Sequence, residues 1–227
     1  MLPKEAICAI TDCAGIPNPL VQESTVKHYL FVIVWLYFMT GLRVNEATAL
    51  RWKEEIDLDK GTLTVTHSLR LKNRNDWSLG PTKTKAALRT IAIDTDTISI
   101  LQAWKTRQVN FGDIKLVLSY DGSPTWKSTV ARIITRHAKL AGVKPIQAKG
   151  LRHSHASFLI NEYNANPLVI KDRIGHEDIK TTLSTYSHLY PNVNFEIATN
   201  MSGSIKIQTS KFKMTKFKGN QSFKNDD

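Results

Sequence analysis

Residues 29–39 of the chain read YLFVIVWLYFM, an unbroken apolar run that closes two residues before Gly41. A helix that crosses a membrane needs roughly 20 such residues, and this run supplies about half of that length. We therefore interpret it as part of a buried core helix that begins at Glu23 and ends at Met39. A glycine just beyond the last apolar residue is typical of a helix C-terminus.

The pattern downstream of this helix predicts a mostly helical α+β fold with one small antiparallel β-sheet. Residues 62–71 and 88–93 alternate apolar and polar side chains and are rich in β-branched types, which is typical of strands. The polar stretch between them predicts a long hairpin tip. Apolar residues at helical spacing predict a short helix at 44–52 and further helices at 96–109, 125–140, 151–163, 167–174 and 179–190.

The two ends of the chain differ from this middle part, which we delimit as one domain at 23–191. Residues 1–22 contain Gly15, Pro17 and Pro19 and predict an irregular segment after a short helical piece. Residues 192–227 form a basic tail, for which we expect a flexible arm or an interaction segment.

The composition limits the class of partner. The formal net charge is +11, from 31 basic against 20 acidic residues. A protein this basic most often binds nucleic acid, although an anionic membrane or solubility alone would also account for the charge. The only cysteines, Cys8 and Cys13, are too few for a tetrahedral zinc site or a disulfide framework and predict reduced thiols. The first residues lack the pattern of a secretion signal, so we expect a cytoplasmic protein.

Four short segments carry side chains suited to chemistry on a phosphate, and each is a weak signal alone. An arginine with a glutamate three residues later, or a lysine on a hairpin, is usually a solvated surface charge. A tyrosine in a helix is usually there for packing. The segments are TGLRVNEA at 40–47, PTKTK at 81–85, KGLRHSHAS at 149–157 and IGHEDIKTTLSTYSHL at 174–189.

In this order the four segments together resemble the catalytic domain of the tyrosine recombinases, the integrases of phages and conjugative transposons. The resemblance runs from about residue 20 to about residue 190, and the ten-residue spacing of His176 and Tyr186 is typical of the family. It implies the tyrosine-recombinase fold, and cleavage and rejoining of DNA through a covalent tyrosine–phosphate link. By position it implies the following roles: Tyr186 as nucleophile, Arg43 and Arg152 as the phosphate-binding pair, Lys83 as the hairpin lysine, His176 as the second site histidine, and Glu46 as the acidic residue after the first arginine.

One position departs from the family pattern. The family's first site histidine lies three residues before the second arginine, where this chain has Lys149. We expect its ammonium group to replace the histidine as a donor to the same phosphate, and the alternative is a solvated lysine ahead of a helix. For His153, directly after the arginine, we expect a structural role.

The residue types fit the chemistry. A phosphodiester under in-line attack gains negative charge on its non-bridging oxygens, and two guanidinium groups offer forked donors that match them. A tyrosine has a pKa near 10, so Tyr186 must lose its proton, and His176 is a candidate to take it or to bind the phosphate. The 5′ oxygen needs an acid, for which Lys83 is the candidate by alignment and Lys85 the neighbouring alternative.

We expect no cofactor and no metal. The covalent link stores the energy of the broken bond, so rejoining requires neither ATP nor a metal ion. The glycine-rich phosphate loop is missing, and residue 180 is lysine where the zinc-protease motif needs histidine. The resemblance implies double-stranded DNA as partner, and monomers that form a tetramer on synapsed DNA. It also implies accessory DNA-bending or directionality proteins, and docking of the segment after Pro191 on a neighbouring subunit.

Two other functions fit parts of the sequence. A type IB topoisomerase uses the same arginine, lysine and tyrosine chemistry, and relaxation of DNA without exchange would identify it. A non-catalytic DNA-binding relative fits the departure at Lys149 and the short segment that precedes the resemblance, where family members usually carry a DNA-clamping domain. The retained tyrosine, arginines, lysine and histidine favour an active recombinase, and the wording of the motifs favours one from a mobile element.

Overall fold

In the computed structural model the described residues are 25–73, 76–191, 194–202 and 204. The predicted segment 1–22, both cysteines, the first two residues of the predicted core helix and most of the tail lie outside this part of the chain. Contacts divide the chain into two units, 1–190 and 191–227. Every candidate site residue belongs to the first unit.

In the described chain, two helices precede a run of short strands, and the remaining helices follow it. The helices are α1 (Thr25–Thr40), α2 (Val44–Ala47), α3 (Thr95–Gln108), α4 (Lys127–Leu140), α5 (Ala148–Tyr163), α6 (Pro167–Ile174) and α7 (Ile179–Tyr186), with α8 (Asn194–Met201) in the second unit. The strands are β1 (Ile56–Asp57), β2 (Thr62–Val65), β3 (His67–Asn73), β4 (Asp76–Pro81) and β5 (Arg89–Ala92). The mostly helical fold class is confirmed.

Helix α1 forms the centre of the core, as its apolar run predicts. It packs against α3, α4 and α5, so it has almost no solvent-facing stripe. Five of its apolar residues are fully buried: Val32, Ile33, Val34, Leu36 and Tyr37. A helix that is apolar on every side is stable only when neighbours cover all of it. The helix ends at Thr40, which places the following TGLR segment at the edge of the core.

The prediction of a single sheet is wrong, because strand 62–71 is two strands in different sheets. Strand β2 pairs with β1 and β5, whereas β3 pairs with β4. The chain leaves the first sheet at Thr66, whose hydroxyl donates to the buried Glu55 carboxylate at 2.5 Å. The segment predicted as a hairpin tip contains β4, whose Leu79 and Trp77 lie opposite Leu69 and Leu71 of β3.

Three helix boundaries differ from the predicted ones near the site. The helix predicted at 44–52 stops at Ala47, because Trp52 N–H instead donates to Lys115 O at 3.0 Å. Helix α5 begins at Ala148, three residues earlier than predicted, so that Lys149 lies in its first turn rather than before it. Helix α7 ends at Tyr186, and a 3-10 turn follows at Ser187–Leu189. In the described part of the chain, every helix is too short or too polar to cross a bilayer.

Candidate active site

Two glycine turns, at the C-terminal ends of α1 and α6, each hold one of the predicted arginines. Arg152 donates from Nη1 to the carbonyl of Gly41 at 2.8 Å. Arg43 donates from Nη2 to the carbonyl of Gly175, also at 2.8 Å. The last carbonyls of a helix carry partial negative charge, so they are suitable partners for a guanidinium group. The two arginines, far apart in sequence, are thereby fixed in the same way.

Both turns require glycine. Gly41 has φ +63° and Gly175 has φ +67°, a left-handed conformation that costs other residues energy. A Cβ atom on Gly41 would lie 2.6 Å from His155 Cδ2, and one on Gly175 would lie 3.0 Å from the Ala86 carbonyl oxygen. A side chain at either position would therefore displace the carbonyl group that holds an arginine.

Glu46 links the first arginine to a second, unassigned one. Its Oε1 accepts from Arg43 Nη1 at 2.7 Å, and its Oε2 accepts from Arg89 Nη2 at 2.9 Å. The Arg43 side chain is 42% exposed, whereas those of Glu46 and Arg89 are 4% and 7% exposed. Burial alone would raise the pKa of Glu46, but the charges and hydrogen bonds of Arg89 and Arg43 outweigh it and lower that pKa. Glu46 thus forms ion pairs with both Arg43 and Arg89.

Arg89 and Arg173 join the elements that carry the site. Arg89 donates to the Arg173 carbonyl at 2.8 Å and to the Ala87 carbonyl at 2.9 Å. Arg173 in turn donates to His155 Nε2 at 3.0 Å and to the Met39 carbonyl at 3.2 Å. Burial and nearby arginines lower the pKa of His155 to about 3, so its ring is a neutral acceptor. These contacts tie β5 and α6 to the end of α1.

Replacing Glu46 with glutamine should lower the free energy of unfolding by about 3–5 kcal/mol, because it leaves buried Arg89 without its counter-charge. Urea unfolding measures this loss. The matched control is Glu54→Gln, since Glu54 forms an exposed pair with Arg51 at 3.4 Å and should contribute at most ~1 kcal/mol. Equal effects of the two variants would contradict the buried link.

The carboxylate of Glu46 also makes the free energy of unfolding depend on pH. A glutamate whose pKa is lowered on folding stabilises the fold above its unfolded pKa, ordinarily 4.5, and the stabilisation is lost as the pH falls below that value through the folded pKa. The wild type should lose more unfolding free energy in this acid range than Glu46→Gln does.

Arg152 is buried and keeps one donor without a partner. The residue is 7% exposed, and its Nη2 has no hydrogen-bond partner among the described residues. Burial, together with the charges of Arg43 and Arg89, lowers its pKa to about 9. It therefore remains protonated at neutral pH. A buried charged donor without a partner is costly, and an anion would satisfy it.

Tyr186 lies in a small core between α5, α6 and α7, formed with Ala156, Ile160, Ile170 and Ile174. The residue is 0% exposed, and burial raises its pKa to about 12 although the charge of Arg152 lowers it. Its hydroxyl lies 2.8 Å from His153 Nδ1. The predicted nucleophile thus lies within hydrogen-bond distance of His153, for which the sequence predicts only a structural role.

His176 follows the Gly175 turn and faces α7. Its Nδ1 lies 3.0 Å from Thr182 Oγ1, which fixes the ring next to the arginine cluster. Burial, with the charges of Arg152 and Arg43, lowers its pKa to about 4, so the ring is neutral at physiological pH. It is placed to donate from Nε2 when Nδ1 accepts the Thr182 proton.

The three candidate lysines are exposed. Lys83 and Lys85 lie after β4, on the way to β5, and so beyond the hairpin on which Lys83 is predicted. Lys149 lies in the first turn of α5, one turn before His153. In the described chain, Arg152 interacts electrostatically with Arg43, Glu46, Tyr186 and His176, so the structure brings these five predicted residues together. Lys83 is not part of this group.

Sequence reasoning misses Arg89 and the contact of His153. Arg89 follows the PTKTK segment, yet nothing in the sequence pairs it with Glu46, 43 positions away.

Among the residues that the structure describes, no group of three His, Cys, Asp or Glu side chains is arranged to hold a metal ion.

Comparisons with known proteins agree on one family. The sequence profile of the phage integrase family matches residues 12–192. The ICEBs1 integrase of Bacillus subtilis is 32% identical over 170 residues, which is 71% of this chain and 45% of the relative. The integrase of Staphylococcus phage L54a is 29% identical over 172 residues, 70% of this chain and 48% of the relative. The chain thus spans about half the length of these curated relatives.

Solved structures agree on the fold. The Tn1549 transposon integrase, in complex with transposon right end DNA, superposes with a TM-score of 0.70 at 17% identity, over 89% of this chain and 65% of that one. The XerA recombinase gives a TM-score of 0.63 at 20% identity, over 88% of this chain and 64% of that one. With the profile match covering most of its length, the chain belongs to the phage integrase family.

Proposed function

We propose that residues 23–191 form the catalytic domain of a site-specific DNA recombinase that supports integration or excision of a mobile element. Cleavage and rejoining would proceed through a 3′-phosphotyrosine at Tyr186. The observation that carries this proposal is that a buried tyrosine lies close enough to a buried arginine, which keeps an unpartnered donor, for the charge of the arginine to lower the pKa of the tyrosine. The tyrosine supplies a nucleophile, and Arg152 supplies charge for a phosphate.

The two arginines act on the phosphate. Arg152 is oriented by Gly41 and offers Nη2, while Arg43 is oriented by Glu46 and Gly175 and is partly exposed. Charged donors that are fixed before the substrate arrives stabilise the transition state without reorganisation, which is commonly the largest catalytic effect. His176 adds a neutral donor, and Lys149, at the N-terminal turn of α5, adds a charged one.

Double-stranded DNA is the proposed substrate. The net charge of +11 supports it, as does the DNA-bound form of the structurally similar Tn1549 integrase. We propose that monomers assemble into a tetramer on synapsed DNA. In that assembly the segment after Pro191 binds a neighbouring subunit, and the exposed side chains of Phe195, Ile197 and Met201 on α8 provide an apolar contact surface for it.

Lys83 is the proposed acid for the 5′ oxygen. Lys83→Ala should slow cleavage by on the order of 10²-fold on normal DNA, the typical contribution of general acid catalysis. A 5′-bridging sulfur at the scissile phosphate should restore most of the rate, because a thiolate leaves without a proton. Single-turnover cleavage of both substrates measures this.

Lys85→Ala is the matched control, since Lys85 is two residues away and also exposed. It should cleave both substrates at about the wild-type rate. Rescue of Lys85→Ala by sulfur, with no defect in Lys83→Ala, would transfer the role to Lys85.

The function is tested with a pool of nicked duplexes whose central sequence is randomised. After cleavage near a nick the short product diffuses away, so a covalent intermediate accumulates. Complexes that survive denaturing washes are sequenced, and we expect one site family to be enriched. Duplexes of that site should then exchange strands with each other. Binding without any denaturant-resistant complex would contradict a recombinase, and relaxation of supercoiled DNA without exchange would indicate a topoisomerase.

A further inference from the structure

A histidine outside the predicted site set contacts the reacting atom. His153 Nδ1 lies 2.8 Å from the Tyr186 hydroxyl, and the two rings are 5.9 Å apart at their centroids. His153 is on α5, one residue after Arg152, and Tyr186 ends α7. The contact joins two helices across 33 positions of sequence, so it depends on the fold and not on local spacing.

The protonation states of His153 and Tyr186 define which of the two donates in their hydrogen bond. Burial keeps Tyr186 protonated, because its pKa is about 12. Burial, followed by the charges of Lys149 and Arg152, lowers the pKa of His153. A neutral ring with its proton on Nε2 accepts at Nδ1, so the phenol O–H donates to His153.

The other candidates for the tyrosine proton are less suitable. Lys149 occupies the position three residues before Arg152, and an ammonium group has no lone pair to accept a proton. His176 Nδ1 is directed at Thr182 rather than at the tyrosine. In the described part of the chain, the side chain in hydrogen-bond contact with the Tyr186 hydroxyl is that of His153.

We propose that His153 is the general base that takes the proton of Tyr186 during DNA cleavage, and that Lys149 keeps its ring in the neutral, accepting form. This inference rests on the proposed function. The proton moves from the phenol oxygen to Nδ1, and the oxygen forms a bond to phosphorus. The bond from phosphorus to the 5′ oxygen breaks, and that oxygen leaves with the proton of Lys83. In rejoining, His153 returns its proton to the departing tyrosine.

The charged and titratable groups around His153 predict a specific pH dependence. They are Lys149 and Arg152 on its own helix, Tyr186 from α7 and His176 from the turn before α7. A base must be neutral to act, so the cleavage rate should fall as the pH drops through the pKa of His153. Removing the charge of Lys149 raises this pKa, and the acid side of the rate profile should therefore move to higher pH.

Single-turnover cleavage of the enriched nicked duplex, across roughly pH 5 to 9, a range that brackets histidine titration, tests the inference. His153→Gln should lose on the order of 10²-fold in rate and also lose the acid fall-off, since glutamine cannot take a proton. Lys149→Gln should keep the fall-off but show it at higher pH. Any loss of its plateau rate reports the separate contact of Lys149 with the phosphate.

The control is Lys139→Gln, which removes the same charge from an exposed position on α4 and should leave the profile in place. His153→Gln with wild-type rates, or with reduced rates and an unchanged acid fall-off, would overturn the role of His153. An identical profile for Lys149→Gln and Lys139→Gln would overturn the role of Lys149. If the wild type forms no adduct with any duplex, the proposed function itself fails, which is a different outcome from an active His153→Gln.

Discussion

Tyr186→Phe should abolish the covalent protein–DNA complex and leave DNA affinity within a few-fold of wild type. The substitution removes one oxygen atom, and that oxygen is the proposed nucleophile. The ring stays in the core formed by α5, α6 and α7, so the fold should remain intact. Denaturing gel electrophoresis of the protein on a nicked duplex reports the complex, and a filter-binding assay reports the affinity.

The neighbouring tyrosine provides a matched control. Tyr190 donates its hydroxyl to the Ala165 carbonyl at 3.0 Å, so Tyr190→Phe also removes a hydrogen-bonded phenol oxygen. Its cost should be one hydrogen bond, about 1 kcal/mol of unfolding free energy, with the covalent complex retained. If the covalent complex persists in Tyr186→Phe and disappears in Tyr190→Phe, the nucleophile is Tyr190 and the proposed role of Tyr186 is wrong.

Arg152→Lys should lower the cleavage rate by on the order of 10²–10³-fold, although it conserves the charge. Arg152 presents two donors of its guanidinium group: Nη1 binds the Gly41 carbonyl, and Nη2 is the buried, unpartnered donor that we propose binds the phosphate. An ammonium group is a point charge on a flexible stem and cannot hold both positions at once. Single-turnover cleavage with saturating protein separates this loss from a loss of affinity.

Arg136→Lys is the comparison for this variant, because Arg136 is an exposed arginine on α4. It should cleave like the wild type, and both variants should unfold cooperatively. A cleavage rate for Arg152→Lys within a few-fold of that for Arg136→Lys would mean that Arg152 only supports the turn at Gly41.

The sequence predicts those features of the fold that depend on composition along one element. The apolar run at 29–39 predicts α1 because a helix that is apolar on every side must be buried by its neighbours. The order of the helices follows from their apolar spacing. The sheets are less predictable, because pairing depends on which strands meet. The hydroxyl of Thr66 bonds Glu55 where the chain changes sheet, and an alternating pattern through residues 62–71 does not reveal that change.

In the candidate site, too, the sequence predicts some features and not others. Residue types and motif order identify Tyr186, the two arginines and His176 as candidates. The partners that orient them come from distant positions: Gly41 and Gly175 through their carbonyls, and Arg89 through Glu46. The contact of His153 with Tyr186 depends on the packing of α5 against α7, and sequence spacing contains no signal for it.

The measurement that tests the central claim most directly is tandem mass spectrometry of the covalent complex formed on a nicked duplex. Trypsin cleavage after Lys180 and Lys206 gives a peptide that contains both Tyr186 and Tyr190, so fragment masses distinguish the two. We predict that the nucleotide remnant is attached to Tyr186. A remnant on Tyr190 or on any other residue, or a peptide that remains unmodified in a denaturant-resistant complex, would contradict the proposed mechanism.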